Sequence, residues 1–123
     1  KEKYGSCRNI DIDDTIYDLD VLYTLRVNAG MYIHGHSAGG TNPSSVEAMH
    51  FGMPILACDV VYNRETTENK AYYFKNADDL MAPLNNLDID LDSNAQSMCK
   101  IADRRYRWSI IAKQYETLYT TDV

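Results

Sequence analysis

The sequence has few of the features that define several classes of protein. Its cysteines are odd in number and far apart, at Cys7, Cys58 and Cys99, so neither a disulfide framework nor a zinc site fits them. It has no run of about 18 apolar residues, so no transmembrane segment is expected. Basic residues are scarce, with 12 Lys and Arg against 18 Asp and Glu and a net charge of −6. Nucleic-acid binders normally present a basic face, so nucleic acid is not an expected partner.

The composition otherwise predicts one ordinary globular domain over residues 1–123. The apolar fraction of 45% and the charged fraction of 24% are typical of such domains, and the length suits one hydrophobic core. The chain opens on Lys1-Glu2-Lys3, with no start methionine and no signal sequence. We interpret it as a domain cut from a longer protein, and the unpaired cysteines favour the cytoplasm.

Short apolar runs alternate with helical patterns along the chain. Strands are predicted at residues 31–34, 54–58 and 72–74, the last at a sheet edge, and residues 9–13 read as the end of a further strand. Helices are predicted at 17–28, from Pro43 to Gly52, from about Asn63, and through the C-terminal part. That last part has expected breaks near Pro83 and at 88–92, and a final helix at about 104–119. Alternating strands and helices predict a three-layer, Rossmann-like α/β domain with a parallel sheet.

One glycine-rich segment follows the first predicted buried strand. Ligands of open α/β sheets bind beyond the carboxyl ends of the strands, and glycines there let backbone amides approach a ligand closely. Asn42 is placed to cap a new helix whose first residue is Pro43. The free amides and the dipole of that helix favour an anion such as a diphosphate. Further donors come from hydroxyl side chains, namely Ser37, Thr41, Ser44 and Ser45.

Several polar residues near this segment have more than one interpretation. Glu47 lies in the first two turns of the helix, where it either caps the helix or accepts hydrogen bonds from a ribose diol. His34 and His36 are two residues apart on an extended chain, so both can point the same way as polar residues of a pocket. A metal would need a third ligand, and none is evident. Arg64 either reaches a phosphate or pairs with a nearby glutamate, Glu65 or Glu68.

The segment over residues 32–49 reads YIHGHSAGGTNPSSVEAM and is followed by GMPILACDV at 52–60 and NRE at 63–65. This pattern resembles the donor-site signature of glycosyltransferase family 4, and more narrowly the rhamnosyltransferase-like branch that builds bacterial capsule and O-antigen chains. The final segment, from Tyr106-Arg107-Trp108 to Tyr119, is similar to the last helix of these enzymes. The likeness covers residues 17–119 approximately, and 32–65 is its most specific part.

The resemblance implies a GT-B fold, in which two Rossmann-like domains face each other across a cleft. This chain is similar to the C-terminal, donor-binding domain, truncated at its N-terminal strand and helix. In the family, the glutamate at the position of Glu47 holds the nucleotide ribose, and the loop at 39–42 contacts the diphosphate and the sugar. The implied donor-binding residues are His36, Ser37, Gly39, Gly40, Thr41, Asn42, Ser44, Glu47 and Arg64. The resemblance implies no metal and no cofactor, and it names no catalytic residue.

The implied reaction moves a hexose or a deoxyhexose such as rhamnose, with retention of configuration, from a UDP- or dTDP-linked donor. The acceptor is a lipid-linked glycan bound by an N-terminal domain that this chain does not include, at the inner face of the bacterial membrane. Alone, the chain is expected to be inactive. The sequence departs from the family where a second glutamate is common, because Gly39 stands there. An epimerase-type nucleotide-sugar enzyme and a non-catalytic interaction module remain alternatives.

Overall fold

The computed structural model describes residues 3–86 and 90–121, which form a small α/β structure. Within these residues there are three strands and six helices. The strands are β1 (Tyr32–His34), β2 (Ile55–Cys58) and β3 (Tyr72–Phe74). The helices are α1 (Leu19–Asn28), α2 (Pro43–His50), α3 (Val61–Thr66), α4 (Ala77–Asn85), α5 (Leu91–Arg105) and α6 (Trp108–Thr120). In the same residues, no helix is long and apolar enough to cross a membrane.

The strands form one parallel sheet in the order β1-β2-β3. Tyr32 lies opposite Ile55, and Ala57 lies opposite both His34 and Tyr73 on its two sides. Parallel neighbours need a crossover connection, which α2 provides between β1 and β2 and α3 provides between β2 and β3. The predicted α/β architecture with a parallel sheet is therefore confirmed, and the loops after β1 and β2 leave the sheet at the same edge.

The hydrophobic core lies on one face of the sheet. Ile55 and Ala57 point to this face, and α2 and α5 pack on each other and on β2. The buried apolar side chains are those of Ala48, Met49, Met53, Ile55, Ala57, Met98, Ile101 and Ala102. On the other face Leu56 is buried, whereas Ile33 is 43% exposed. Of the three predicted layers, the sheet and the helical layer of α2 and α5 on its core face are present.

The start and end of α2 follow the predicted local rules. The side-chain oxygen of Asn42 accepts a hydrogen bond from the Ser44 amide at 3.0 Å, and Pro43 is the first helical residue. At the other end the chain reverses through Gly52, whose φ of +66° is a conformation that favours glycine. Both predictions are confirmed.

Helix α1 differs from α2 and α5 because none of its residues is buried. It contacts the rest of the domain through an edge-to-face contact between Tyr23 and Phe51, whose ring centroids are 5.5 Å apart, and through Arg26. Apolar side chains are exposed along its whole length, at Leu19, Val21, Tyr23, Leu25 and Val27.

Two predicted boundaries are wrong, and a third lies partly outside the described residues. Residues 9–13 form no strand, because their alternating pattern has no neighbouring strand with which to pair in the described part of the chain. Pro83 does not break α4, which continues to Asn85. Proline removes one backbone hydrogen bond, but only two helical residues follow Pro83, so the loss falls in the last turn. Of the expected break at 88–92, residues 87–89 lie outside the described residues, and α5 begins at Leu91.

The predicted final helix at about 104–119 corresponds to α6, which begins four residues later than predicted. α5 ends at Arg105 and α6 begins at Trp108. Beside the break, the hydroxyl of Tyr106 donates a hydrogen bond to the Thr66 carbonyl oxygen at 2.8 Å, which attaches the junction between α5 and α6 to α3.

Candidate functional site

Two loops meet at the carboxyl edge of the sheet, and Asn63 joins them. Its side-chain amide donates to the backbone oxygen of His36 at 3.0 Å and to that of Cys58 at 2.9 Å. Asn63 is buried in α3, so these bonds fix the loop after β1 against the end of β2. The sequence pattern marked Asn63 only as the start of a helix. Its position shortly after a buried strand, at the ligand edge, is the sequence signal from which this role could have been predicted.

The glycine-rich loop after β1 leads into the N-terminus of α2. Gly39 has a φ of +99°, which a residue with a Cβ adopts only with strain. Gly35 and Gly40 have no such φ, and no atom lies within 4 Å of the place where their Cβ would be. The fold itself therefore requires a glycine at Gly39, while the space beside Gly35 and Gly40 is open to an incoming group.

Glu47 lies in the second turn of α2 and pairs with α1. Its Oε1 is 3.3 Å from Nε of Arg26, without the alignment of a hydrogen bond, and the Arg26 side chain is only 14% exposed. The Arg26 guanidinium also lies over the Tyr32 ring, 5.9 Å from its centroid. The capping alternative for Glu47 is wrong, because Asn42 caps the helix.

An open cavity of about 820 Å³ lies between α2 and α6. Two predicted donor-binding residues, Thr41 and Glu47, line it together with Trp108 and Ser109 from the start of α6. This volume is within the usual range for a ligand pocket. The structure therefore brings Thr41 and Glu47 to one cavity.

His36 follows β1 and stacks on His34, the residue that the sequence predicted to point the same way. The rings of His34 and His36 stack with centroids 4.8 Å apart, which confirms that the two side chains point the same way. His34 is 1% exposed, and its Nδ1 lies 3.2 Å from the Tyr32 hydroxyl. Burial, together with the charge of His36, lowers the pKa of His34, so its ring is neutral near pH 7.

Arg64 makes a contact that the sequence did not predict. Its guanidinium binds both carboxylate oxygens of Asp59, with Nη2 2.9 Å from Oδ2, and lies 4.1 Å from the Tyr73 ring centroid. The hydrogen bonds from Arg64 lower the pKa of Asp59. Pairing of Arg64 with Glu65 or Glu68 is wrong, because Glu68 binds the C-terminal end of α5 instead, through Arg104 and Arg105.

The hydroxyl residues of the segment separate into accessible and inaccessible ones. Ser45 is buried, so it is not available as the donor that the sequence suggested. Ser44 is partly buried, and Ser37 is exposed in the loop. Thr41 lies 3.4 Å, oxygen to oxygen, from the hydroxyl of Thr66 in α3. Thr41 and Ser37 are the hydroxyls best placed for a ligand at this edge.

No group of three or more potential metal ligands forms within residues 3–86 and 90–121. Comparison with protein-family models, with curated protein sequences and with solved structures gives no match to this chain.

Proposed function

We propose that the chain is the donor-binding domain of a retaining GT-B glycosyltransferase of family 4, acting in the synthesis of a bacterial cell-surface polysaccharide. The enzyme would move a hexose or deoxyhexose, such as rhamnose, from a UDP- or dTDP-linked donor to a lipid-linked glycan. One observation carries the proposal. Thr41, from the glycine-rich loop, and Glu47, from the helix that follows it, line the same cavity.

The loop and the start of α2 supply the groups that a diphosphate needs. The N-terminus of α2 directs the positive end of its dipole at the same space as the loop, while its own amides, from Ser44 to Val46, bond to Asn42. The open space beside Gly40 lets a phosphate approach the backbone, and the His36 and Ser37 side chains add polar contacts. In this proposal the helix dipole and the loop also stabilise the charge on the departing diphosphate.

Glu47 would bind the ribose. A carboxylate accepts hydrogen bonds from both hydroxyls of a diol, and Arg26 holds this carboxylate at the wall of the cavity. Arg64 would lie near the donor without binding its phosphate directly, since its guanidinium is engaged by Asp59. The acceptor would be bound by a second domain of the whole protein, which we place in the cytoplasm at the inner face of the bacterial membrane. The proposal requires neither a metal nor a cofactor.

The alternatives are less well supported by the cavity. An epimerase-type enzyme would need catalytic carboxylates at the site, and among the described residues that line the cavity Glu47 is the one acid. A non-catalytic interaction module needs no nucleotide at all, so nucleotide binding separates it from both enzymes.

The test is ligand-observed saturation-transfer NMR of the chain with UDP, dTDP, GDP and ADP. We expect selective transfer to UDP or dTDP, and loss of that transfer in Glu47→Gln. The matched control is Glu65→Gln, which changes an exposed glutamate of α3 away from the cavity and should bind as the parent does. Silence across the nucleotides, or equal binding by both variants and the parent, contradicts the proposal.

A further inference from the structure

We infer that the nucleobase of the donor stacks on Trp108, at the end of the cavity formed by α6. This inference rests on the proposed function and adds the base-binding element to it. It assigns a ligand-contacting role to a residue whose only sequence-level interpretation was membership of the last helix.

Trp108 is exposed where a large aromatic side chain is normally buried. It is the first residue of α6, and 84% of its surface is accessible even though it lines a cavity of about 820 Å³. The other apolar walls come from Pro43, Val46 and Ile111. A concave, mostly apolar site with an accessible indole ring suits a flat aromatic ligand.

The residues that line the cavity include one candidate partner for each part of a nucleotide. Thr41 belongs to the loop proposed for the diphosphate, and Glu47 is proposed to hold the ribose. The base is bonded directly to the ribose, so a ribose on Glu47 places the base in the same cavity. Tyr106 also lines the cavity, but it is partly buried and its hydroxyl bonds to Thr66, so the exposed ring of Trp108 is the platform. The Ser109 hydroxyl beside it offers a hydrogen-bonding group for the edge of the base.

The start of α6 is held in place relative to α2. The imidazole Nε2 of His50, the last residue of α2, lies 2.8 Å from the Tyr106 carbonyl oxygen. Arg107 pairs with Asp103 at 2.8 Å, and the Tyr106 hydroxyl bonds to α3. These contacts fix the backbone beside Trp108, so the platform is formed before a ligand arrives.

The charges at this end of the cavity favour a neutral ring over a phosphate. Glu47 is paired with Arg26 and Arg107 with Asp103, so the cation at this end of the cavity is not free for a phosphate. A base stacked on an indole typically strengthens binding by a factor of about five to more than a hundred. The nucleobase is therefore the part of the donor that gains most from this surface.

The sequence contains a single tryptophan, so its fluorescence reports on Trp108 alone. We expect UDP or dTDP to quench this fluorescence saturably, with the Kd measured by NMR, while pyrophosphate and ribose 5-phosphate do not. Trp108→Ala should weaken the nucleotide at least about fivefold, and Trp108→Phe should restore part of the affinity. The matched control is Tyr119→Ala, because Tyr119 is also 84% exposed on α6 but does not line the cavity.

The outcomes separate the inference from the proposed function. Nucleotide binding that depends on Glu47 but leaves the fluorescence and the Trp108→Ala affinity unchanged overturns the inference alone. Absence of nucleotide binding overturns both. Quenching by free sugars without a nucleotide also overturns the inference, because it identifies a carbohydrate surface. Circular dichroism melts of each variant verify that it is folded.

Discussion

The Nε atom of Arg26 lies 3.3 Å from Oε1 of Glu47, which links α1 to the helix that begins the candidate site. The two side chains differ in environment, since that of Arg26 is 14% exposed and that of Glu47 is 48% exposed. Removing the carboxylate would leave a largely buried cation without its partner. Glu47 therefore has a structural role beside its proposed role in binding.

We predict that Glu47→Ala lowers the free energy of unfolding by about 1–3 kcal/mol, between the values for exposed and fully buried pairs. Glu47→Gln should cost less, because its polar amide oxygen can still face the Arg26 guanidinium. Urea unfolding measures both. In a double-mutant cycle, Arg26→Met should reduce the cost of Glu47→Ala, and strictly additive effects would contradict the coupling.

Alanine substitutions at two glycines of the loop should have different effects, one on stability and the other on nucleotide binding. Gly39→Ala is expected to destabilise the domain by about 1 kcal/mol or more, because its φ of +99° strains a residue with a Cβ. Gly40→Ala should leave the melting temperature nearly unchanged yet weaken UDP or dTDP, since its Cβ would occupy the space proposed for the diphosphate. Gly30→Ala is the control, because Gly30 also has open surroundings and lies outside the loop. Unchanged nucleotide affinity in Gly40→Ala would argue against phosphate at this loop.

The buried His34 should make stability fall in mild acid. Its pKa is below the ordinary value of about 6.5 in the folded chain, so the unfolded chain takes up a proton first as the pH falls. This contribution to stability is complete above about pH 6.5 and is lost as the pH falls through the folded pKa. Urea unfolding between pH 7 and pH 5 measures the loss, and NMR titration of the ring measures the pKa directly. His34→Gln should flatten this part of the profile, whereas His36→Gln should keep it; a His34 ring that titrates at or above pH 6.5 would refute the prediction.

Asn63→Ala should cost about 1–3 kcal/mol, because it leaves two backbone carbonyl oxygens near the core without their shared donor. It should also weaken nucleotide binding, since the loop after β1 loses its attachment to β2. Thermal melting and the NMR assay measure these effects. Asn28→Ala removes one exposed side-chain hydrogen bond and is the matched control. Equal melting temperatures for the two variants would exclude a positioning role for Asn63.

Local sequence rules predicted much of this fold correctly. The three strands, the Asn42 cap and the end of α2 at Gly52 all follow from signals within a few residues. The errors lie where a distant partner decides. The strand predicted at 9–13 has no neighbouring strand among the described residues. The final helix begins later than predicted, after a junction where Tyr106 bonds to Thr66, 40 residues away.

The candidate site shows the same division. The glycine-rich loop and the position of Glu47 could be read from the sequence, but their partners could not. The partner of Glu47 is Arg26, which comes from α1. Arg64 pairs with Asp59 at the end of β2, and not with the acids Glu65 and Glu68 that are near it in sequence. Trp108 joins the cavity only because the break between α5 and α6 brings it beside α2.

The absence of buried residues in α1 has a consequence for motion. A helix that contributes nothing to the core can detach without breaking the sheet, whereas α5 cannot. Amide hydrogens of α1 should therefore exchange with solvent sooner than those around Met98 and Ile101. Since Arg26 belongs to α1, each such opening would release the carboxylate of Glu47. The fraction of molecules in which Glu47 is held in place for a ligand would then equal the fraction in which α1 is docked.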